Sequence, residues 1–166
     1  MRKVIAVLAG LLLLGAVNWA ISGRERLLAD GRVVLLELAP VDPRSLMQGD
    51  YMALRFKVAG EIFEPARRTP NGAADGHIVV KLDERGVGNF VRRDGGERLG
   101  PGEVILAYRI RNDQVKFATN GFFFQEGSAG DFQRARYGEF RVASSGDLLL
   151  THLRGEKLER LGPPGR

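Results

Sequence analysis

The amino-acid sequence predicts a mainly β protein, in which an N-terminal transmembrane helix precedes one antiparallel domain of sandwich or barrel-like form with one or two short helices. An uncharged apolar run extends from Val4 to Ile21. About eight short runs of β-type residues follow it at spacings near ten residues, with glycine-bearing turns between them. The expected organisation is therefore an anchor at 1–22, a linker or helix extension at 23–31, a β-rich domain at 32–161 and a disordered tail at 162–166.

The apolar run is long enough to cross a bilayer. It covers about 27 Å at helical rise, close to the roughly 30 Å of a hydrocarbon core, and Trp19 near its end suits the membrane interface. A cleaved signal peptide is the alternative, but its apolar core is usually shorter and no small-x-small cleavage site lies between Ala16 and Ala20. Because Arg2 and Lys3 precede the run, we expect the domain to lie outside the cytoplasm, which in a bacterium is the periplasm.

The first strands of the domain are predicted from apolar runs. Val33 to Leu38 is of strand length and ends before Pro40, which cannot donate a ladder hydrogen bond. From Tyr51 to Val58 apolar and polar residues alternate, which predicts a strand whose core face carries Met52, Leu54, Phe56 and Val58. Residues 60–76 contain two prolines and an Asn-Gly pair, so we expect an exposed excursion with at most a short helix.

Three hairpins are predicted in the remainder of the domain. In each, two β-type runs flank a turn of Gly, Asn, Asp or Ser residues. The paired runs are His77–Leu82 with Gly88–Arg93, Val104–Arg111 with Val115–Ala118, and Glu139–Ala143 with Asp147–Leu153.

A short helix is predicted between the last two hairpins. Ser128 and Asp131 have the spacing of a capping box, which predicts a helix from Ala129 to Arg136. Phe132 and Ala135 are three residues apart and are expected on its core face. Gly138 is expected to end the helix.

Composition excludes several classes of function. The chain has 25 Lys and Arg against 20 Asp and Glu, and the bases are scattered, so a nucleic-acid-binding face is not indicated. It has no cysteine, which excludes disulfides, thiolate metal sites and thiol nucleophiles. The two histidines, His77 and His152, are far apart, so we expect structural or surface roles for them and neither a metal site nor a cofactor.

One motif gives the chain a family resemblance. The residues Gly49, Asp50, Tyr51, Leu54 and Phe56 resemble the motif of the GDYxxLxY family, small bacterial membrane-associated proteins without an assigned activity. The resemblance extends to residues 38–44, 125–127 and 135–139. Phe56 departs from the pattern, which has tyrosine there; keeping the ring without the hydroxyl indicates a packing role.

Two polar groups of residues are the candidates for a functional site. The first lies in the loop around the motif and contains Arg44, Gly49, Asp50 and Tyr51, with Asp42 close by; the second, around the predicted helix, contains Gln125, Glu126, Arg136, Tyr137, Gly138 and Glu139. If the two groups meet, they form either a polar binding site on a rigid sheet or a set of ion pairs that holds the loops in place.

The main hypothesis is a non-enzymatic periplasmic interaction module, held at the inner membrane by Val4 to Ile21 and acting with an integral membrane protein. Two alternatives stay open. A hydrolase like the membrane-anchored signal peptidases would use Ser45 with Lys57 or Lys81, although the sequence around Ser45 lacks that family's motif. A small-ligand-binding β domain would require a cavity.

Overall fold

A long exposed helix opens the chain. The computed structural model describes residues 2–39, 47–48, 51–66, 74–111, 114–119 and 121–162. Helix α1 (Arg2–Asp30) runs without a break through the predicted linker, and its side chains from Val7 to Ile21 are all exposed. The stretch Val7–Asp30 has a mean hydropathy of 1.5 in its most apolar window, so α1 is long and apolar enough to span a membrane.

The β-rich part follows directly after α1. Its strands, in chain order, are β1 (Arg32–Glu37), β2 (Met47–Gln48), β3 (Tyr51–Ala53), β4 (Ala74–Leu82), β5 (Gly88–Arg93), β6 (Glu103–Arg111), β7 (Gln114–Lys116), β8 (Gly121–Phe123), β9 (Tyr137–Val142) and β10 (Leu148–Arg154). Among the described residues, two helices interrupt them, α2 (Lys57–Ala66) and α3 (Ala129–Phe132). The predicted mainly β, antiparallel fold is confirmed.

The strands form three antiparallel sheets. Their orders are β1-β9-β10, β2-β3-β8 and β5-β4-β6-β7. Backbone hydrogen bonds join the first sheet to the last at two places: Leu35 N donates to Gly86 O at 3.0 Å, and Ala107 N donates to Gly146 O at 2.9 Å. These two sheets therefore curl into a half-barrel around a common core.

Large apolar side chains fill the inside of the half-barrel. Phe117 and Phe140 are fully buried, and so are Leu36, Ile78 and Leu106 from the two sheets. Helix α2 packs against β1, β5 and β7 and contributes Val58 and Ile62 to this core. The alternation of apolar residues along the strands follows from this core, because one face of each strand is turned towards it. In β6, every second residue from Val104 to Ile110 is buried.

The three predicted hairpins are present in the observed pairing. β4 pairs with β5, β6 with β7 and β9 with β10, all antiparallel. Helix α1 ends against this body: Leu27 is buried, and Arg141 Nη1 donates to Gly31 O at 3.0 Å.

The predicted strand from Tyr51 to Val58 is wrong in its second half. β3 ends at Ala53 and α2 begins at Lys57. Met52, Leu54, Phe56 and Val58 are nevertheless all buried, at 6% exposure or less. Val58 and Ile62 are four residues apart, the spacing of one helix face, so the helix buries both against the sheets and overrides the alternating pattern.

The predicted capping box is also wrong. The helix α3 exists, but it ends at Phe132 and the Ser128 side chain makes no capping hydrogen bond; Asp131 N bonds to the Ser128 backbone oxygen instead, at 3.0 Å. Gly138 does not end the helix, because it lies within β9. Phe132 and Ala135 are buried as predicted.

Candidate functional site

The motif residues that the structure describes are packing residues. Leu54 and Phe56 are each 2% exposed, and Tyr51 is half-buried on β3. Arg44, Gly49 and Asp50 lie outside the described residues, as does Asp42. The motif is therefore accounted for by the core at two of its positions, and Tyr51 is its described member with partial access to solvent.

The backbone brings the motif and the second candidate group together at the end of β1. Leu38 N donates to Arg136 O, and Ala39 N donates to Arg55 O, both at 2.8 Å. Leu38 also forms an isolated antiparallel bridge with Phe56. The chain after β1 thus lies between the two segments, and the contact is made by peptide groups.

A side-chain contact joins the same segments on the core side. The Phe56 ring packs edge-on against Phe140, with centroids 5.3 Å apart, and against Phe117 at 6.0 Å. Gly138 leaves the space that this ring uses, because a Cβ there would lie 2.8 Å from Phe56 Cε1. Phe56 and Gly138 therefore act as a matched pair, one large and one small.

Glu139 lies at the centre of a polar cluster on the other face of β9. It is buried, with 1% exposure. Its Oε2 accepts from Arg154 Nε, and its Oε1 lies 3.6 Å from both Arg160 Nη2 and His152 Nδ1. Thr151 Oγ1 donates to the Glu139 backbone oxygen at 3.1 Å. A buried carboxylate requires such partners, because an unpaired one is costly.

The Glu139 cluster holds the C-terminal segment onto the sheet. Arg154 Nη1 also donates to Leu158 O at 2.5 Å. The backbones of Arg154 and Arg160 form an isolated antiparallel β-bridge. Leu161 N donates to Leu153 O at 2.9 Å, so the chain after β10 folds back over the strand end. This arrangement is that of a structural clasp made by one carboxylate and two arginines.

The other residues of the second group do not join Glu139. Gln125, Glu126 and Arg136 are exposed, and the described residues offer their side chains no hydrogen-bond or ion-pair partner. Tyr137 is half-buried beneath Arg85, whose guanidinium carbon is 5.8 Å from the ring centroid. The predicted polar site of converging carboxylates, arginine and phenol is thus not assembled by the residues that the structure describes.

An aromatic patch forms beside the motif instead. Phe123 on β8 is 76% exposed, and its ring packs on that of Tyr51 with centroids 5.2 Å apart. We call Tyr51 and Phe123 the aromatic patch. The neighbouring Phe122 and Phe124 turn the other way and pack on Phe132, each with centroids 5.2 Å from it. Because side chains alternate along a strand, three consecutive phenylalanines force one ring outward.

Sequence reasoning missed Phe123, although the signal was available. None of the strands predicted from the sequence includes the Phe122 to Phe124 run. In the structure β8 pairs with β3 on one edge, and no strand among the described residues pairs with its other edge. An exposed aromatic residue on an open strand edge is a common feature of contact surfaces.

Two further charged clusters are structural. Arg92 Nη1 contacts both Glu103 carboxylate oxygens at 3.0 Å, and Gly100 N donates to Glu103 at 2.9 Å. The Gly100 peptide group, together with Arg92, holds the pKa of Glu103 below its ordinary value. Near the beginning of β4, the Asp75 carboxyl lies 2.7 Å from the Arg111 guanidinium of β6, and this contact lowers the pKa of Asp75. The first pair joins β5 to β6 across β4, and the second joins the adjacent strands β4 and β6.

The described residues hold no group of histidines and acids that could bind a metal ion. His77 is exposed, whereas His152 belongs to the Glu139 cluster. Of the residues considered for a hydrolase, Lys57 is paired with Glu37 at 3.1 Å, Lys81 is exposed on β4, and Ser45 lies outside the described residues.

Comparison with known proteins gives one match. A family model described as GDYXXLXY protein matches residues 13–153. The match spans the second half of α1 and nearly all of the β-rich part. Comparison with curated proteins found no match, and comparison with solved structures found none either.

Proposed function

The chain belongs to the GDYXXLXY protein family, and from this premise we propose that it is a membrane-anchored, non-enzymatic interaction module whose contact surface is the aromatic patch. Phe123 carries the proposal. It is the most exposed aromatic ring outside α1 among the described residues, and it lies on a residue of the family motif. Burying a phenylalanine side chain contributes about 1.5 to 3 kcal/mol, which makes it an effective anchor for a partner.

The proposed membrane anchor determines on which side of the membrane the aromatic patch lies. α1 crosses the bacterial inner membrane once, and the β-rich domain lies in the periplasm. Two basic residues precede the apolar run, and the short N-terminal end favours the cytoplasm. A single residue, Gly31, separates the end of α1 from β1, so the domain stays at the membrane surface.

The partner follows from this placement. A domain held at the surface meets the exposed segments of integral membrane proteins far more often than it meets soluble proteins. We therefore propose an integral membrane protein whose periplasmic face offers apolar side chains to Phe123 and a strand or loop to the open edge of β8.

Native gel electrophoresis of detergent-extracted membranes tests the proposal. The natural chain of 18.2 kDa is expected to migrate within a larger complex. Phe123→Ser is expected to release it, because the partner loses the buried ring. Val91→Ser is the matched control, since Val91 is also an exposed apolar residue of a strand, with 43% exposure, but lies on β5.

Two results would contradict the proposal. One is a complex that persists in Phe123→Ser at the abundance of the control. The other is a complex that contains only further copies of the chain, which mass spectrometry of the excised band would reveal. Thermal melting of both variants checks that the folded domain remains.

A further inference from the structure

A groove lies where the end of α1 meets the β-rich domain. One part of it, about 460 Å³, is lined by the helix from Trp19 to Leu27 together with Ala143 and Asp147. The adjoining part, about 380 Å³, is lined by the outer face of β6 and by β7, with Arg24 and Asp147 common to both. The two parts therefore adjoin, and together they extend from the helix onto the domain.

The groove lies at the level of lipid headgroups if α1 spans the membrane, and in this respect it rests on the proposed function. The uncharged run ends near Ile21, and Arg24, Glu25 and Arg26 are the first charged residues after it. At helical rise they lie about 4 to 8 Å beyond the end of the run. Trp19, which is 82% exposed, suits the interface directly below.

The charge of the groove is strongly positive. Arg24, Arg26, Arg109 and Lys116 line it, and Asp147 is its acidic residue. Asp147 already accepts a hydrogen bond from Ser145 Oγ at 2.9 Å. The apolar members Leu148 and Leu149 lie beside these cations, so the lining combines positive charge with apolar surface.

Two of these cations face each other. On β4, Asp75 lies opposite Arg109 but is paired with Arg111, and Arg109 Nη2 donates to Ala118 O at 3.2 Å. Arg109 on β6 is directly opposite Lys116 on β7 in the strand register. Like charges in this arrangement destabilise a sheet. Arg111, the next residue on the same face of β6, is paired with Asp75 at 2.7 Å. No described carboxylate pairs with Lys116. An anion held by Arg109 and Lys116 would remove the repulsion.

From these observations we propose that the groove binds the headgroup of an anionic phospholipid. The phosphate would contact Arg24, Arg109 and Lys116, and the glycerol and upper acyl chains would lie against Leu148 and Leu149. Cations near an anionic membrane surface are attracted to it. The bound lipid would fix the orientation of the domain, and with it the height of the aromatic patch above the membrane.

Trp19 provides a direct probe, because it is the one tryptophan of the chain and it lines the groove. The full chain is reconstituted in phosphatidylcholine vesicles that contain a small fraction of lipid with brominated acyl chains, which quench tryptophan on contact. Brominated phosphatidylglycerol is expected to quench Trp19 several-fold more effectively than brominated phosphatidylcholine at equal fractions. The double variant Arg109→Gln, Lys116→Gln is expected to lose this preference, because the phosphate keeps one of its three cationic partners.

The control removes the same charge elsewhere. Arg134→Gln with Lys157→Gln changes two exposed cations that do not line the groove, and it is expected to keep the preference. Equal quenching by the two lipids, or a preference that survives in the groove variant, would overturn the lipid site while leaving the anchor intact. Absence of quenching by either lipid would overturn the anchor as well. Loss of the preference on adding aqueous glycerol phosphate would identify a free phosphate ester, and not a lipid, as the ligand.

Discussion

At the scale of single residues, Phe56 and Gly138 share one volume of the core. A methyl group at Gly138 would lie 2.8 Å from Phe56 Cε1 and 3.2 Å from both Leu150 Cδ1 and Phe140 Cε2. All of these neighbours are side chains of a filled core, so little space exists into which they can move. The motif position that departs from tyrosine is thus linked to a glycine more than eighty residues away.

We predict that Gly138→Ala destabilises the domain by about 1 to 3 kcal/mol through overpacking. In a Phe56→Leu background, which removes the ring edge, the same change is expected to cost clearly less. Urea unfolding of the full chain in detergent micelles, followed for all four members of this double-mutant cycle, measures the difference. An equal cost of Gly138→Ala in both backgrounds would show that the two residues do not share the volume.

Glu139 is a buried carboxylate with two arginine partners. Its side chain is 2% exposed and meets Arg154 and Arg160, which are 22% and 57% exposed. We predict that Glu139→Gln costs about 3 kcal/mol of the free energy of unfolding, since it breaks a buried pair. Arg160→Gln, which removes an exposed partner, is expected to cost less than about 1 kcal/mol. The same urea unfolding experiment compares the two; similar costs would contradict the assignment of Glu139 as the centre of the clasp.

At the scale of elements, the turn between β5 and β6 is held by Glu103. Its carboxylate accepts from Gly100 N at 2.9 Å and from Arg92 Nη1 at 3.0 Å, and the pKa of Glu103 is lowered by both. A carboxyl whose pKa is lower in the folded state than in the unfolded state stabilises the fold at pH values above its unfolded pKa, which is about 4.3. This contribution is lost as the pH falls through the folded pKa.

We predict that Glu103→Gln lowers the melting temperature at pH 7 and that the difference from the natural chain closes as the pH falls below about 4. Glu84→Gln, in the exposed turn between β4 and β5, is the control and is expected to change the melting temperature little at either pH. Calorimetry across this pH range makes the comparison. A Glu103→Gln difference that stays constant from pH 7 to acid would contradict the assigned role of the carboxylate.

The elements that the sequence predicted correctly are those fixed by local signals. The β4–β5 turn contains Asp83 and Gly86, and Asp83 Oδ1 accepts from Arg85 N and Val87 N. Such chemistry is contained within a few residues and is readable in advance. The same holds for α1, whose composition alone marks it as a candidate membrane span.

The elements and sites that were predicted wrongly or missed depend on distant partners. Met52, Leu54, Phe56 and Val58 are buried, but α2 replaces the strand because the two curled sheets leave a face that a helix covers. The Glu139 cluster depends on the register of β9 with β10, which shifts between Leu150 and His152. Neither the curl nor the register shift has a local signal, so Arg154 and Arg160 could not be placed beside Glu139 from the sequence.

At the scale of the whole molecule, the family motif divides into a packed part and an accessible part. Leu54 and Phe56 belong to the core, whereas Tyr51 supports Phe123 at the surface. Residues 13–153, which match the family model, include α1 from Leu13 onward and the patch. Under the proposed function, Tyr51 is the motif residue that supports the contact surface of this chain.

Site-specific photocrosslinking in living cells tests this central claim most directly. A benzoylphenylalanine residue is placed at position 123 or, as the control, at position 91, where Val91 is exposed on β5. We predict that position 123 gives one discrete adduct that contains an integral membrane protein and resists extraction with alkaline carbonate, and that position 91 does not give it. The same adduct at both positions, or at position 123 an adduct only with a second copy of the chain, would contradict the account.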